Sequence, residues 1–390
     1  MTEVKRKDVF LMLSFIVIIF SVSLTQILIE LSCGQRPLLA ELFAQKPTKA
    51  NLRVFEKDME KACWFSQKLR PWMQYLRFIV LKDTGDKAIM GRDGWLFYKL
   101  AVQYLTQRWP GTEGSSNDKD DCFSAIVSFR DQLKQRGIQL LVVPVPNKAS
   151  IYPQKLARRA SRIKQPVNPY TLEIISKLEK AGVEVVNLFE VFSQTSPIEH
   201  QESMYYLPQD THWSPHGMRT AAKAVARKIL DLRWAGKGTI EYDLKPVTIE
   251  RYGDILRMIQ VPQIKRCFAP QQVHCTQVIN ADEGRLYQDE PDSEILVLGD
   301  SFLRIYEQDE PRSAGFIAHL ARELGLPLAS IVNDGGASTL VRQQLSRRPH
   351  LLSNKKLVIW EFVERDIRFG TEGWQQIPLP GEAGESITDE

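Results

Sequence analysis

Short β-branched, apolar runs alternate with amphipathic stretches of helical period from Ser124 to Phe362, and this alternation limits the chain to few folds. A helical pattern runs to about Arg136, Gly137 is placed to cap it, and Gln139 to Val145 follows as a strand closed by Pro144 and Pro146. The spacing then predicts a helix over 169–180, a strand over 183–187 and a helix whose start is explicit, with Ser214 as N-cap and Pro215 at the first helical position. Over 233–290 the helical pattern stops, which reads as an insertion. Alternation resumes with a strand over 295–298, a helix over 316–324, a strand over 328–332, a helix over 338–345 and a strand over 357–362. Repeated strand and helix units predict an α/β fold in three layers, with a mostly parallel sheet between two helical faces and right-handed crossovers.

Ahead of this domain, Lys5, Arg6 and Lys7 precede an apolar run from Val9 to Ile29 in which Gln26 is the only strongly polar residue. About 20 apolar residues span a bilayer as a helix. No small-residue cleavage site stands after Ile29, so the pattern favours an uncleaved signal anchor over a cleaved signal peptide, with the basic flank in the cytoplasm. The expected organisation is a cytoplasmic tip over 1–8, a transmembrane signal anchor over 9–29, a lead-in or stalk over 30–84, the α/β domain over 85–370 with its insertion over 233–290, and a loose acidic tail over 371–390. Within the domain, Arg92, Asp93 and Gly94 between apolar flanks suit a tight hairpin turn that buries Trp95, Leu96 and Phe97. The formal net charge of +4 over 390 residues is small and its cations are interspersed with acids, which argues against a nucleic-acid partner. Outside the cytoplasm disulfides persist, and Cys267 and Cys275 are close enough in sequence to close a short loop; pairing of Cys63 with Cys122 stays open. No His or Cys stands beside them at zinc-ligand spacing, and neither a metal nor a cofactor is expected.

The chemistry collects at predicted strand ends, where parallel sheets bind ligands. Gly299, Asp300, Ser301 and Phe302 follow the strand over 295–298, and Asp210, Thr211 and His212 stand just before the helix begun at Ser214. A serine hydroxyl needs an adjacent base to become a nucleophile, and the base needs an orienting group. Ser301, His212 and Asp210 supply one of each, in the order acid, base, nucleophile, and such sets are recognised by geometry rather than by spacing. Acyl transfer also needs donors aimed at the developing oxyanion. The Ser301 amide, Gly335 or Gly336 and the Asn333 side chain are the candidates, all after neighbouring strands. Glu361 and Arg365, at the end of the last strand, suit either substrate contact or a surface salt bridge.

Taken together, these motifs resemble the alginate O-acetyltransferase family typified by AlgJ and AlgX, whose catalytic domain is similar to SGNH hydrolases. The resemblance rests on the Gly91 to Phe97 hairpin, Pro146 to Pro153 with Lys148 and Tyr152, Asp210 through Gly217, Gly299 through Phe302 and Ile359 through Asp366. It implies an SGNH hydrolase-like domain over about 85–370 in which Asp210 orients His212, His212 deprotonates Ser301, and Ser301 carries acetyl to a hydroxyl of an exported polysaccharide such as alginate. It also implies a membrane-bound O-acyltransferase partner that supplies acetyl, and a single-pass inner-membrane protein with its catalytic domain in the periplasm. The N-terminal anchor is closer to the AlgJ type, and no separate carbohydrate-binding module follows Phe362. An acetyl esterase would use the same three residues, and a glycan-binding scaffold of an export complex would keep the fold without the chemistry.

Overall fold

The computed structural model describes residues 6–40, 46, 48–107, 121–163, 169–193, 203–259, 261 and 263–380. The chain divides into two units, one of residues 1–83 with 261–264 and the other of 84–260 with 265–390.

In the first unit, helix α1 (Arg6–Ser32) carries the apolar stretch Val9–Ser32, long and apolar enough to cross a membrane. Gln26, the polar residue in that run, is buried. Its Nε2 donates to Glu30 (2.7 Å) and to the Ala62 carbonyl (3.1 Å), while its Oε1 accepts from Trp64 N–H (2.8 Å). It thereby satisfies backbone groups left open at the break between α2 (Lys49–Ala62) and α3 (Trp64–Leu81). The expected stalk is thus largely helical, and residues 1–5 of the expected tip lie outside the described residues.

The second unit opens with the expected hairpin, β1 (Ala88–Met90) and β2 (Leu96–Tyr98), turned by Asp93 and Gly94 at φ 54° and 76°. Its central sheet is parallel throughout, in the order β4-β3-β10-β8-β9, from β3 (Gln139–Val145), β4 (Glu184–Val185), β8 (Ile295–Gly299), β9 (Ala329–Val332) and β10 (Leu357–Val363). Alternate residues of each strand enter different cores. Leu141, Val143, Val297 and Ile359 pack with helices α4 (Pro215–Asp231) and α5 (Phe316–Leu324). Leu140, Val142, Leu298, Val358 and Trp360 pack on the other face, beneath the helices Cys122–Lys134, Pro169–Lys180 and Leu340–Ser346. Burial on both faces explains the near-continuous apolar runs, and the three expected layers are present.

The insertion forms an antiparallel sheet of β5 (Tyr242–Arg251), β6 (Gln271–Asn280) and β7 (Arg285–Leu286). Here the expected Cys267 to Cys275 bridge is not formed. Cys275 points into the core with Val273, as the period-2 alternation of β6 requires, while Cys267 is exposed in the loop before that strand. Burial pushes the Cys275 thiol up to about 12.

Residues 371–380 correct a second expectation, because they are docked rather than loose. Trp374 is buried against Trp360 and Phe362, the Leu379 amide donates to Gln132 (2.7 Å), and Arg136 donates to the Leu379 and Pro380 carbonyls. Residues 381–390 of the expected tail lie outside the described residues.

Candidate active site

Strand β8 ends at Gly299, and the chain turns at once into the short helix Ser301–Arg304, with Asp300 as its N-cap accepting from Phe302 N–H (2.8 Å). Gly299 lets the Glu361 carboxyl approach closely: a Cβ there would fall 2.4 Å from Glu361 Oε2, which would have to move. This places Ser301 at the carboxyl edge of the sheet, next to β10.

The loop facing it is built from several local devices. Ser214 caps α4 by accepting from Gly217 N–H (3.0 Å), and the Ser214 amide donates to Tyr205 O (2.8 Å). Trp213 is fully buried between Phe302 and Phe316. Lys148, buried at the end of β3, donates to the carbonyls of Leu207 (3.1 Å), Pro208 (3.1 Å) and Asp210 (2.6 Å) and lies over the Trp95 and Phe97 rings. Burial lowers its ammonium to about 7, against the pull of Asp210 and Asp254. The Arg92 to Phe97 hairpin therefore covers the lysine that holds the Asp210 loop.

The loop's tip carries Asp210 and His212. Asp210 Oδ1 accepts from His212 N–H (3.1 Å) and lies 2.7 Å from His212 Nδ1, while His212 Nε2 is 2.9 Å from Ser301 Oγ. The structure thus brings the three expected residues into one hydrogen-bonded line, and the imidazole rests against the Phe302 ring. Asp210 is fully buried, which by itself would raise its carboxyl. The His212 hydrogen bond and charge, with Arg251, more than offset this and hold it well below the ordinary range. For His212 burial acts downward, and Asp210, Asp254 and Asp300 outweigh it, leaving the imidazole above its ordinary value.

Two further groups reach the line from the insertion, and nothing in the sequence pattern marks them. Arg251, the last residue of β5, places Nη2 3.0 Å from Asp210 Oδ2. Asp254, just beyond, accepts from Thr211 N–H (2.7 Å) and Thr211 Oγ1 (2.5 Å) and lies 3.7 Å from His212 Nδ1. The backbone passes so close that a Cβ on Gly253 would fall 1.9 Å from Gln209 O. Asp210, His212 and Asp254 could together offer three atoms to a metal ion, since these lie within 4.8 Å of one another. The guanidinium already paired with Asp210 and the Thr211 donors on Asp254 fit a hydrogen-bonded relay better than a cation site.

Glu361 and Arg365 do not form the surface salt bridge that was one expectation for them. Glu361 is fully buried, its Oε2 accepts from Asp300 N–H (3.1 Å), and its Oε1 is buried without a partner among the described residues. Arg365 stands over the Phe302 and Tyr98 rings, 3.8 Å from Asp366. Asn333, Gly335 and Gly336 occupy the turn after β9, which pairs with β8 through Gly299 and Val332; the Asn333 amide donates to Gly299 O (3.0 Å). Gly335 has φ 65°, and the Asn333 side-chain oxygen is turned against Gly336, where a Cβ would lie 2.4 Å from it.

The chain has relatives. Residues 88–364 match the family described as SGNH hydrolase-like domain, acetyltransferase AlgX. The chain belongs to that family. It is similar to the alginate biosynthesis protein AlgX of Pseudomonas aeruginosa, at 26% identity over 289 residues that cover 70% of this chain and 55% of AlgX. It is also similar to the probable alginate O-acetylase AlgJ of the same species, at 25% identity over 40% of this chain and 36% of AlgJ. The matches thus span about half or less of those two relatives. The AlgJ of Pseudomonas fluorescens is 21% identical over 76% of this chain and 72% of its own length. Among solved structures, the O-acetyltransferase domain of Pseudomonas putida AlgJ superposes with a TM-score of 0.55 at 20% identity, covering 72% of this chain and 91% of that domain. Pseudomonas aeruginosa AlgX does so with a TM-score of 0.53 at 21% identity, covering 71% of this chain and 62% of AlgX. The AlgX-type family fold, an SGNH hydrolase-like domain around a parallel sheet, is therefore the fold of this chain.

Proposed function

We propose that this chain is an O-acetyltransferase that moves acetyl through a Ser301 acyl-enzyme onto hydroxyls of an exported polysaccharide of the alginate type. The observation that carries the reading is His212 bridging Asp210 and Ser301, with hydrogen-bond contacts of 2.7 and 2.9 Å at the carboxyl edge of the sheet. Membership of the AlgX-type family and the O-acetylase names of its relatives supply the acyl group and the class of acceptor.

In this reading His212 Nε2 takes the Ser301 hydroxyl proton as Oγ attacks the acetyl carbonyl. The tetrahedral oxyanion collapses, expels the donor's oxygen with the proton returned from His212, and leaves Ser301 acetylated. A sugar hydroxyl then attacks the ester, gives its proton to His212 and departs acetylated, while Ser301 regains a proton. Asp210, ionised throughout, fixes the imidazole tautomer and balances the imidazolium that forms transiently within each of the two steps. The Ser301 and Gly335 amides, with the Asn333 side chain, are the groups assigned to the oxyanion, the Gly336 amide being taken by Asn333 O (2.9 Å); each donor contributes roughly 10²–10³ in rate. Arg365, which stands over the Phe302 ring beside Ser301, is assigned to substrate contact. Helix α1 anchors the domain in the inner membrane with the sheet in the periplasm, and acetyl arrives from a membrane-bound O-acyltransferase.

The test is product analysis with the full chain in detergent micelles, an activated acetyl ester and a deacetylated oligouronate. Appearance of O-acetylated sugar supports the proposal. Release of acetate alone, at equal rates with and without oligosaccharide, identifies an esterase instead.

A further inference from the structure

The two shoulders of the loop that carries Asp210 and His212 line an open cleft of about 830 Å³. Gln209 stands on one shoulder and His216 on the other, Arg219 follows on the first turns of α4, and β6 supplies the opposite wall with His274. Neither Ser301 nor His212 lines it, so the reacting atoms do not account for this cleft.

Its charge is one-sided. Arg219 donates from Nη1 to Thr276 Oγ1 (2.9 Å), a neutral anchor that fixes the guanidinium against β6. Among the described residues no carboxylate forms an ion pair with it. The nearby Lys223 and Arg322 add positive charge, and Arg322 is paired with Glu323 (3.0 Å). Two histidines respond to this field. His216, stacked on the Tyr205 ring, is held below its ordinary value by burial and then by Arg219 and Lys223. His319, buried with Nε2 3.0 Å from Thr276 O, is lowered to about 4 by burial, with Arg219, Arg322 and Lys223 contributing. The one acid lining the cleft, Asp93, is already ion-paired with Lys155 at 2.7 Å. Gln209 adds a neutral feature at the wall: its Nε2 donates to Ala269 O (3.2 Å), while its buried Oε1 has no donor among the described residues. A fixed guanidinium with no counter-ion among the described residues, in a cleft with imidazoles, suits a carboxylate on a hydroxyl-rich ligand.

We propose that this cleft binds an anionic sugar of the polymer, with Arg219 taking its carboxylate, and so holds the chain against the loop that presents His212. The inference rests on the acetyltransferase reading for the identity of the ligand as acceptor, but its own test is binding. Full-length protein in detergent micelles is titrated calorimetrically with a short oligouronate, a neutral β-linked oligoglucose and inorganic phosphate, at low and physiological ionic strength. The expected result is oligouronate binding that weakens with salt, much weaker binding of the neutral sugar and of phosphate, and a loss on the order of 10- to 100-fold in Arg219→Gln, the scale of one charge-assisted contact. Arg219→Gln should keep the wild-type melting temperature and the rate of acetate release from an activated acetyl ester, because Arg219 lies outside the reacting line. Equal oligouronate affinity in wild type and Arg219→Gln overturns the proposal. So does neutral sugar binding as tightly as uronate, and phosphate binding as tightly as uronate reduces the cleft to a small-anion site. If oligouronate binds as expected but Ser301 never carries acetyl, the enzyme reading fails and the cleft stands.

Discussion

Arg251 holds the outer oxygen of Asp210: its Nη2 lies 3.0 Å from Oδ2 while Oδ1 serves His212. Without the guanidinium, that buried oxygen is left facing Asp254, whose amide makes a long contact of 3.4 Å. Arg251→Met should therefore lower kcat by about 10- to 100-fold, in line with the loss of a buried charge-assisted bond of roughly 1.5–3 kcal/mol. Losing a positive charge beside Asp210 also favours protonation of the Asp210 and His212 pair, so the acid limb of kcat/KM should move to higher pH. The groups facing the pair are Lys148, Asp254, Asp300 and Tyr306, and none replaces the guanidinium.

Asp254→Asn should shift that limb the other way. Its carboxylate is 3.7 Å from His212 Nδ1 and contributes to the raised imidazole value. A general base works deprotonated, so activity falls as pH drops through that value. Removing the negative charge lowers it, by about one pH unit or less for a single nearby charge. Opposite shifts in Arg251→Met and Asp254→Asn, measured as pH profiles of acetyl ester turnover, would show that the insertion tunes the site electrostatically. Shifts in the same direction would contradict it.

Glu361 is expected to set the nucleophile's turn. Glu361→Gln keeps an acceptor for the Asp300 amide and should retain most activity, whereas Glu361→Leu leaves that buried N–H unpaired and should destabilise the chain by about 1–3 kcal/mol. The rate should fall with it because Ser301 follows directly. Denaturation midpoints and kcat for both variants check this.

Glu364 predicts a pH effect on stability. Burial raises its carboxyl to about 8 from an ordinary 4.5, and it accepts from Asn147 N–H (2.7 Å), Ser150 Oγ (2.6 Å) and Thr171 Oγ1 (3.3 Å). A raised folded-state value means that the folded chain holds a proton which the unfolded chain releases. Its stabilisation is complete below about pH 4.5 and is lost as pH rises through about 8. Burial likewise raises Glu307 to about 8, which acts in the same sense. Melting temperature should fall across this window, and Glu364→Gln, which carries no releasable proton, should flatten the fall.

Much of the site was legible because its residues also do local work. Ser214 and Pro215 mark a helix start, Gly299 to Ser301 mark a tight strand-to-helix turn, and both signatures follow from backbone chemistry within a few residues. Strands β3, β8 and β10 were legible because burial on both faces leaves almost no polar residue in them. Arg251 and Asp254 were not, since they meet Asp210 only through the packing of a segment without helical periodicity. Glu361 was misread because a carboxyl near a strand end is ordinarily solvated, and here the neighbouring turn covers it. The tail was misjudged for a similar reason: its prolines and acids dominate the composition, while Trp374 and Leu379 decide its packing. The Cys267 and Cys275 bridge failed because the register of β6 turns one thiol inward, and register is not written in cysteine spacing.

The central claim is that Ser301 carries the acetyl group, and trapping that adduct tests it most directly. Full-length protein is mixed with an activated acetyl ester, quenched in acid and mapped by peptide mass spectrometry. The account predicts one acetyl on the peptide containing Ser301, absent in Ser301→Ala and strongly reduced in His212→Ala. A folded wild-type chain that turns over the ester without ever acetylating Ser301, or a Ser301→Ala chain of undiminished activity, would contradict it.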